Sequence, residues 1–406
     1  MENNVWRQDF PILQEKVYGK QLIYLDNGAT SQMPLQVINR INAHYEKEHG
    51  NIHRGIHFLS EESTKAVENT REIVRRFINA GSKESIVFTQ NTTDSINIVA
   101  AAYGLNIEDK GGIVTTEMEH HSNYVPWQQA CKHSGREFFV CPVEDGVLKL
   151  DDLEDILKNN KISLVACAHV SNVTGTINPI DDVIKLAHKY GAQVLIDGAQ
   201  GILHCPVDVQ MLDCDYYCFS GHKMIGPTGV GVLYGKKNCL EKLEPVRYGG
   251  GMVDIVDKED TTWGNLPYRL EAGTPNIGGI IGLGEAITYL QAHDLKAMRN
   301  YEAELITYAA EKIGSISHVK ILGHPIKRAG AISFVVDGLH PYDIASMLDK
   351  AGIAVRSGSH CAQPILRTFN VTATIRVTPN FYNTKEEIDI FCSTLERIIG
   401  MLKKYS

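Results

Sequence analysis

The sequence predicts an α/β protein, with a large domain on a mostly parallel sheet and a smaller α+β domain after it. Three observations lead there. Short apolar runs alternate with helical stretches through the first two thirds of the chain, which is the rhythm of strand–helix–strand units. Several runs are apolar on both faces, as strands covered by helices on both sides must be. The rhythm changes after about residue 285, where two long helical stretches and a shorter set of strands follow.

In chain order, Ile86–Thr89, Gly112–Thr116, Glu137–Cys141, Leu164–Val170, Gln193–Ile196, Asp215–Phe219 and Val230–Tyr234 predict buried strands. Asn123–His133, Leu150–Asn159 and Asp182–Lys189 predict helices between them. Gly284–His293 and Leu295–Ile313 predict the two long helices. The remaining strands fall at His318–Leu322, Ala331–Asp337, Ile353–Arg356 and Thr374–Val377, with helices at Tyr342–Ala351 and Lys385–Leu402. The large domain is placed at 22–285 and the smaller at 286–406. Residues 1–21 are open to pack on the smaller domain or on the larger.

Composition narrows the function classes. Forty Lys+Arg against 48 Asp+Glu give 40 − 48 = −8, and no basic block is present. General nucleic-acid binding is therefore not expected. Met1–Phe10 has charges and no apolar run, and no stretch reaches the ~18 apolar residues of a membrane span. A cytoplasmic protein without membrane association is expected. The nine cysteines are odd in number and irregularly spaced, which predicts reduced thiols and no structural metal site.

Three segments at strand ends carry polar chemistry, where open α/β sheets place ligands. Thr92 and Thr93, in Thr89-Gln90-Asn91-Thr92-Thr93-Asp94, stand at a helix start suited to an anion such as phosphate. An ordinary helix cap is the other reading. Asp197 ends an apolar strand and needs a cation or donor, or else caps the next helix. Lys223, in Ser220-Gly221-His222-Lys223, follows another strand and has the setting of a lysine able to form a Schiff base. His120 and His121 are adjacent, so they cannot face the same way; one can stack on a planar ligand.

In the smaller domain, Cys361 lies in Arg356-Ser357-Gly358-Ser359-His360-Cys361-Ala362. A thiol in a turn beside Arg and His suits a nucleophile, and a small packing residue is the other reading. The other cysteines read as packing residues. Arg376, inside a strand pattern, suits a carboxylate ligand or a structural ion pair.

Together these segments resemble the class V, fold-type I pyridoxal 5′-phosphate (PLP) enzymes. More narrowly, the chain resembles the group II cysteine desulfurases of the SUF iron–sulfur assembly system, a family that overlaps with selenocysteine lyases. The matching segments include Tyr24-Leu25-Asp26-Asn27, His53-Arg54-Gly55-Ile56-His57, Met118-Glu119-His120-His121-Ser122-Asn123 and His169-Val170-Ser171-Asn172. They continue with Asp197-Gly198-Ala199-Gln200, Ser220-Gly221-His222-Lys223, Glu271-Ala272-Gly273-Thr274-Pro275 and the segment around Cys361.

The resemblance implies roles. Lys223 would carry the cofactor and move protons, and Asp197 would pair with its ring nitrogen. Gln200 would donate to its phenolic oxygen, and His120 would stack on its ring. Thr92, Thr93, Ser220 and His222 would hold the phosphate, with Thr274 reaching it from the other subunit of a homodimer. Arg376, helped by Asn172, would bind the substrate carboxylate. Cys361 would take sulfur from L-cysteine as a persulfide, leaving L-alanine, and hand it to an acceptor protein of the SUF system. Selenocysteine cleavage or another class V reaction, such as transamination, is the alternative. His340-Pro341-Tyr342-Asp343 resembles a segment that meets a zinc-containing acceptor in some members.

One position departs from the group II pattern, which has histidine where Ser359 stands here. Ser359→His is expected to change the persulfide-forming rate, or its pH profile, modestly. Rapid-quench alanine assays across pH check this, and identical profiles would make the position neutral.

Overall fold

The computed structural model describes residues 4–105 and 110–404. Residues 1–3 of the N-terminal segment therefore lie outside the described residues. Seven strands form the main sheet: β1 (Ile86–Thr89), β2 (Gly112–Thr116), β3 (Phe138–Cys141), β4 (Ile162–Ala168), β5 (Gln193–Asp197), β6 (Tyr216–Ser220) and β7 (Gly231–Gly235). Their order across the sheet is β1-β7-β6-β5-β4-β2-β3. β7 runs antiparallel to both neighbours, and the other pairs are parallel.

Every residue of β2, β4, β6 and β7 is buried. Alternate residues enter different apolar clusters. Val165, Cys167, Ile196, Tyr217 and Phe219 join one, and Leu164, Ala166, Leu195, Tyr216 and Cys218 the other. Successive side chains point to opposite faces of a sheet, so both faces are covered. The strand expected at Leu164–Val170 lies at Ile162–Ala168. Beyond Ala168 the His169 N–H reaches the Asp197 carbonyl, and the Gly175 amide then closes a turn on the Ser171 carbonyl.

The longer helices are α1 (Leu35–Ala43), α2 (Phe58–Phe77), α3 (Thr92–Leu105), α4 (Val125–Ser134), α5 (Leu150–Asn159), α6 (Ile180–Lys189), α7 (Ile277–Ala292), α8 (Leu295–Gly314), α9 (Pro341–Lys350) and α10 (Lys385–Leu402). Among the described residues, no helix is long and apolar enough to cross a membrane.

α7 begins well before the Gly284 start expected from the sequence. Its glycines weaken a helix in isolation, but close packing requires them. A Cβ at Gly282 would meet the Ile41 side chain at 2.7 Å, and one at Gly284 would meet Thr70 Oγ1 at 2.6 Å. Tertiary packing against α1 and α2 overrides the propensity.

A second sheet has four antiparallel strands, β8 (Val319–Ile321), β9 (Ile332–Val336), β10 (Arg356–Gly358) and β11 (Thr374–Val377), in the order β8-β9-β11-β10. Phe334, Leu348, Ile375, Phe391 and Leu395 form its core with α9 and α10. Thr384 starts α10 with a capping box closed by Glu387. The strand expected at Ile353–Arg356 divides in two. Ile353–Ala354 pairs in parallel with Ile23–Tyr24, and Arg356 begins β10 against β11. Ile23 and Leu25 thus pack in the cluster of the second sheet, whereas Phe10 and Leu13 pack in that of the main sheet.

Gly284→Val is expected to destabilise the protein by about 1–3 kcal/mol through overpacking against the short Thr70 side chain. Urea unfolding of the variant beside wild type measures this.

Candidate active site

The segments that follow the C-terminal ends of β1, β2, β4, β5 and β6 converge on one cavity of roughly 370 Å3. Every residue given a cofactor or substrate role by the resemblance lines it except Thr274, and so does Cys361, whereas His121 and His340 do not. Thr274 lies in neighbouring recesses with Glu271 and Gly273. The main sheet supplies Thr92, Thr93, His120, Asn172, Asp197, Gln200, Ser220, His222 and Lys223, and the second sheet supplies Cys361 and Arg376. The cavity thus lies between the two sheets, and Gly28 and Ala29 also line it.

At one corner, α3 presents its N-terminus. Asn91 caps it by accepting the Asp94 amide at 2.9 Å. This leaves Thr92 and Thr93 free of the capping role that was their other reading. The Thr92 amide and hydroxyl both meet Ser220 Oγ, at 2.8 and 2.7 Å, and Thr93 Oγ1 meets Ser122 Oγ at 2.7 Å. Hydroxyls gathered at a helix N-terminus suit a phosphate.

The far wall is charged. Asp197 is buried, and its Oδ1 accepts the Ala199 N–H at 2.9 Å. Burial raises its pKa, while that bond and Lys223 oppose the rise. Burial pushes the Lys223 amine down from 10.5 to about 8, against the pull of Asp197. Gln200 donates to the Gly28 carbonyl at 2.8 Å, which aims its amide into the cavity wall.

His120 and His121 divide as adjacent residues must. His120 lines the cavity, and its Nδ1 accepts the Ser122 N–H at 3.1 Å. Burial, followed by Lys223, holds its pKa down to about 3. The ring is therefore neutral, with its proton on Nε2. His121 turns instead toward the Cys361 segment, where its N–H donates to the Cys361 carbonyl at 2.6 Å.

Arg376 is buried on β11. Its Nη1 donates to the Asn172 carbonyl at 3.0 Å, its Nη2 lies 3.5 Å from Asp26, and its Nε has no partner. Burial lowers its pKa to about 10 while Asp26 opposes the fall, so it keeps its charge near neutral pH. Asn172 gives its side-chain amide to the His360 carbonyl at 2.8 Å. Of the nine cysteines, all within the described residues, Cys361 alone is exposed.

Two carboxylates that belong to this architecture were quoted in sequence motifs without a role. Asp26 holds Arg356 at 2.9 Å and approaches Arg376. Glu119 is buried and accepts from Thr116 Oγ1, the Asn123 amide and the Ala168 N–H, tying the end of β2 to the end of β4. Burial pushes its pKa up to about 8. An acidic residue beside the histidine pair was the available signal, but its partners come from distant strands.

The donor set fits one composite ligand. It would have a carbonyl-type carbon for Lys223, a basic ring nitrogen for Asp197, a phosphate for the α3 terminus and a carboxylate for the unpartnered Arg376 Nε.

The class of protein follows from comparison with known families. The model of the class-V aminotransferases matches residues 23–391. A protein of Halalkalibacterium halodurans described as a probable cysteine desulfurase is 48% identical over 390 residues, 96% of each chain. The apo structure of a cysteine desulfurase from Thermococcus onnurineus superimposes with a TM-score of 0.92 at 38% identity, covering 98% of each chain. The Escherichia coli cysteine desulfurase CsdA does so with a TM-score of 0.90 at 35% identity, covering 99% of each. The chain belongs to the class-V aminotransferase family. It is a PLP-dependent enzyme, and the donor set above fits that cofactor.

A lysine depressed to about 8 is neutral over a pH range where an ordinary lysine is charged. In cofactor-free protein, acylation of Lys223 followed by peptide mapping is expected to titrate near pH 8. Asp197→Asn should move the midpoint lower, because the lost negative charge had favoured the protonated amine. A midpoint near 10.5 would contradict this environment.

Proposed function

We propose that the protein is a cysteine desulfurase that converts L-cysteine to L-alanine, leaves the sulfur as a persulfide on Cys361 and passes it to an acceptor protein. The observation that carries this reading is an exposed thiol lining the same cavity as Lys223, Asp197 and Arg376. An aminotransferase has no need of such a thiol.

When bound, PLP supplies the electron sink that makes the substrate Cα acidic and its Cβ–S bond cleavable. Lys223 would carry the cofactor and, once the substrate amine has displaced it, its freed Nζ would take the proton from substrate Cα; the lowered pKa leaves a neutral fraction of the amine to do so. Asp197 would hold a proton on the ring nitrogen. Gln200 would donate to the phenolic oxygen, and the neutral His120, lining the cavity, would stack on the ring. Thr92, Thr93, Ser220 and His222 bind the phosphate, with Thr274 of a second copy as a further contact in a homodimer. Arg376 binds the substrate carboxylate, with Asn172 beside it.

The Cys361 thiolate attacks the substrate sulfur. An S–S bond forms and the Cβ–S bond breaks. The electron pair goes to carbon, which takes up protons and leaves as L-alanine. No outside oxidant or reductant is needed, because the two electrons that the sulfur pair gives up in forming the persulfide are taken by the substrate carbon.

The short connection from β10 through Cys361 to β11 favours the group II kind over enzymes with a long mobile loop. The acceptor is then a SUF-system protein, and the setting is cytoplasmic. His340 caps α9 through Nδ1, which accepts the Tyr342 amide at 3.2 Å, so capping accounts for one ring nitrogen of the proposed acceptor segment.

Cys361→Ser is expected to abolish persulfide formation from L-cysteine while cofactor absorbance stays normal. Retained L-selenocysteine cleavage or transamination in that variant identifies the alternative activities, and retained desulfuration of L-cysteine would refute the role of Cys361. Arg376→Ala is expected to raise KM for L-cysteine about 10–100-fold, from loss of charged hydrogen bonds. Steady-state alanine assays measure both.

A further inference from the structure

The turn that carries Cys361 is held in an unfavourable conformation. His360 and Cys361 both adopt positive φ, at 52° and 53°. Side chains with a Cβ rarely occupy this left-handed region unless surrounding bonds hold them there. The bonds come from three places. Asn172 donates its amide to the His360 carbonyl, and His360 Nε2 pairs with Thr374 Oγ1 at 2.7 Å. The third partner is His121, which holds the cysteine's own carbonyl and the residue two further on. Its N–H donates to the Cys361 carbonyl at 2.6 Å, and its ring Nε2 accepts the Gln363 N–H at 3.3 Å.

We infer that His121 is a positioning residue for the Cys361 sulfur, clasping the turn at the cysteine and just after it from the main-sheet side of the cavity. The inference rests on the reading of Cys361 as the nucleophile. His121 follows β2, whereas Cys361 lies between β10 and β11. The clasp therefore fixes the distance from a thiol borne by the second sheet to a substrate bound mainly by the first. An acceptor at Nε2 requires a neutral ring with its proton on Nδ1. His121 is absent from the wall of the main cavity, so it acts through the turn and not on the substrate.

Losing one hydrogen bond of this kind changes an equilibrium by about five- to tenfold. The holoenzyme is compared as wild type, His121→Phe, which keeps a ring but has no acceptor, and His121→Gln, whose Oε1 can take the Gln363 N–H. Two readouts are followed: the single-turnover alanine burst with L-cysteine, and amide hydrogen exchange of the peptide spanning residues 359–366. In His121→Phe the burst slows about five- to tenfold, KM stays within about twofold, and exchange rises in that peptide alone. In His121→Gln both return toward wild type. An unchanged burst and exchange in His121→Phe would overturn the inference, as would a His121→Gln variant as slow as His121→Phe. A wild-type enzyme that puts no sulfur on Cys361 would instead refute the functional reading, and the exchange data would still report on the clasp.

Discussion

Asp197, Lys223 and Arg376 are drawn out of water around one cavity, and much of the fold serves to keep them there. Burying charged groups costs several kcal/mol each unless they find partners. Here the partners are incomplete. Among the described residues the Asp197 carboxylate has a single hydrogen bond, and Arg376 keeps an unpartnered Nε. A ligand with a cationic ring nitrogen and a carboxylate satisfies both groups. The same withdrawal from water lowers the Lys223 amine and keeps His120 neutral.

Two sheets are needed to build this arrangement. The main sheet brings Asp197 and Lys223 to adjacent strand ends, because β5 and β6 are parallel neighbours. The second sheet brings Arg376 and the turn bearing Cys361. Asp26 braces that side: its main chain bridges to Thr378, and its carboxylate meets Arg356 and Arg376. Asp197, Lys223 and His120 are thus anchored on one sheet, and the exposed Cys361 thiol with Arg376 on the other. Contacts across the junction, such as Asn172 to His360 and His121 to Cys361, set their relation.

Much of this was legible in the sequence where chemistry is local. Apolar runs ending in Asp197 or Ser220 announced strands delivering polar groups to a common edge. A cysteine among Gly, Ser, His and Arg marked the exposed thiol, and eight cysteines in apolar settings proved buried. What stayed hidden depends on partners distant in the chain. The early start of α7 reflects glycines pressed against Ile41 and Thr70, which helix propensity alone cannot reveal. The split of Ile353–Arg356 depends on pairing with Ile23–Tyr24, more than 300 residues away. Glu119 and Asp26 were visible as letters, but their roles emerge only when Ala168 and Arg356 are brought beside them.

The most direct test is a single turnover of the PLP-loaded enzyme with L-cysteine and no added reductant, quantifying alanine and locating sulfur by peptide mass. The account predicts one alanine per site and one added sulfur atom on the peptide containing Cys361. Normal cofactor loading on Lys223 with no alanine, or with sulfur on a different cysteine, would contradict it.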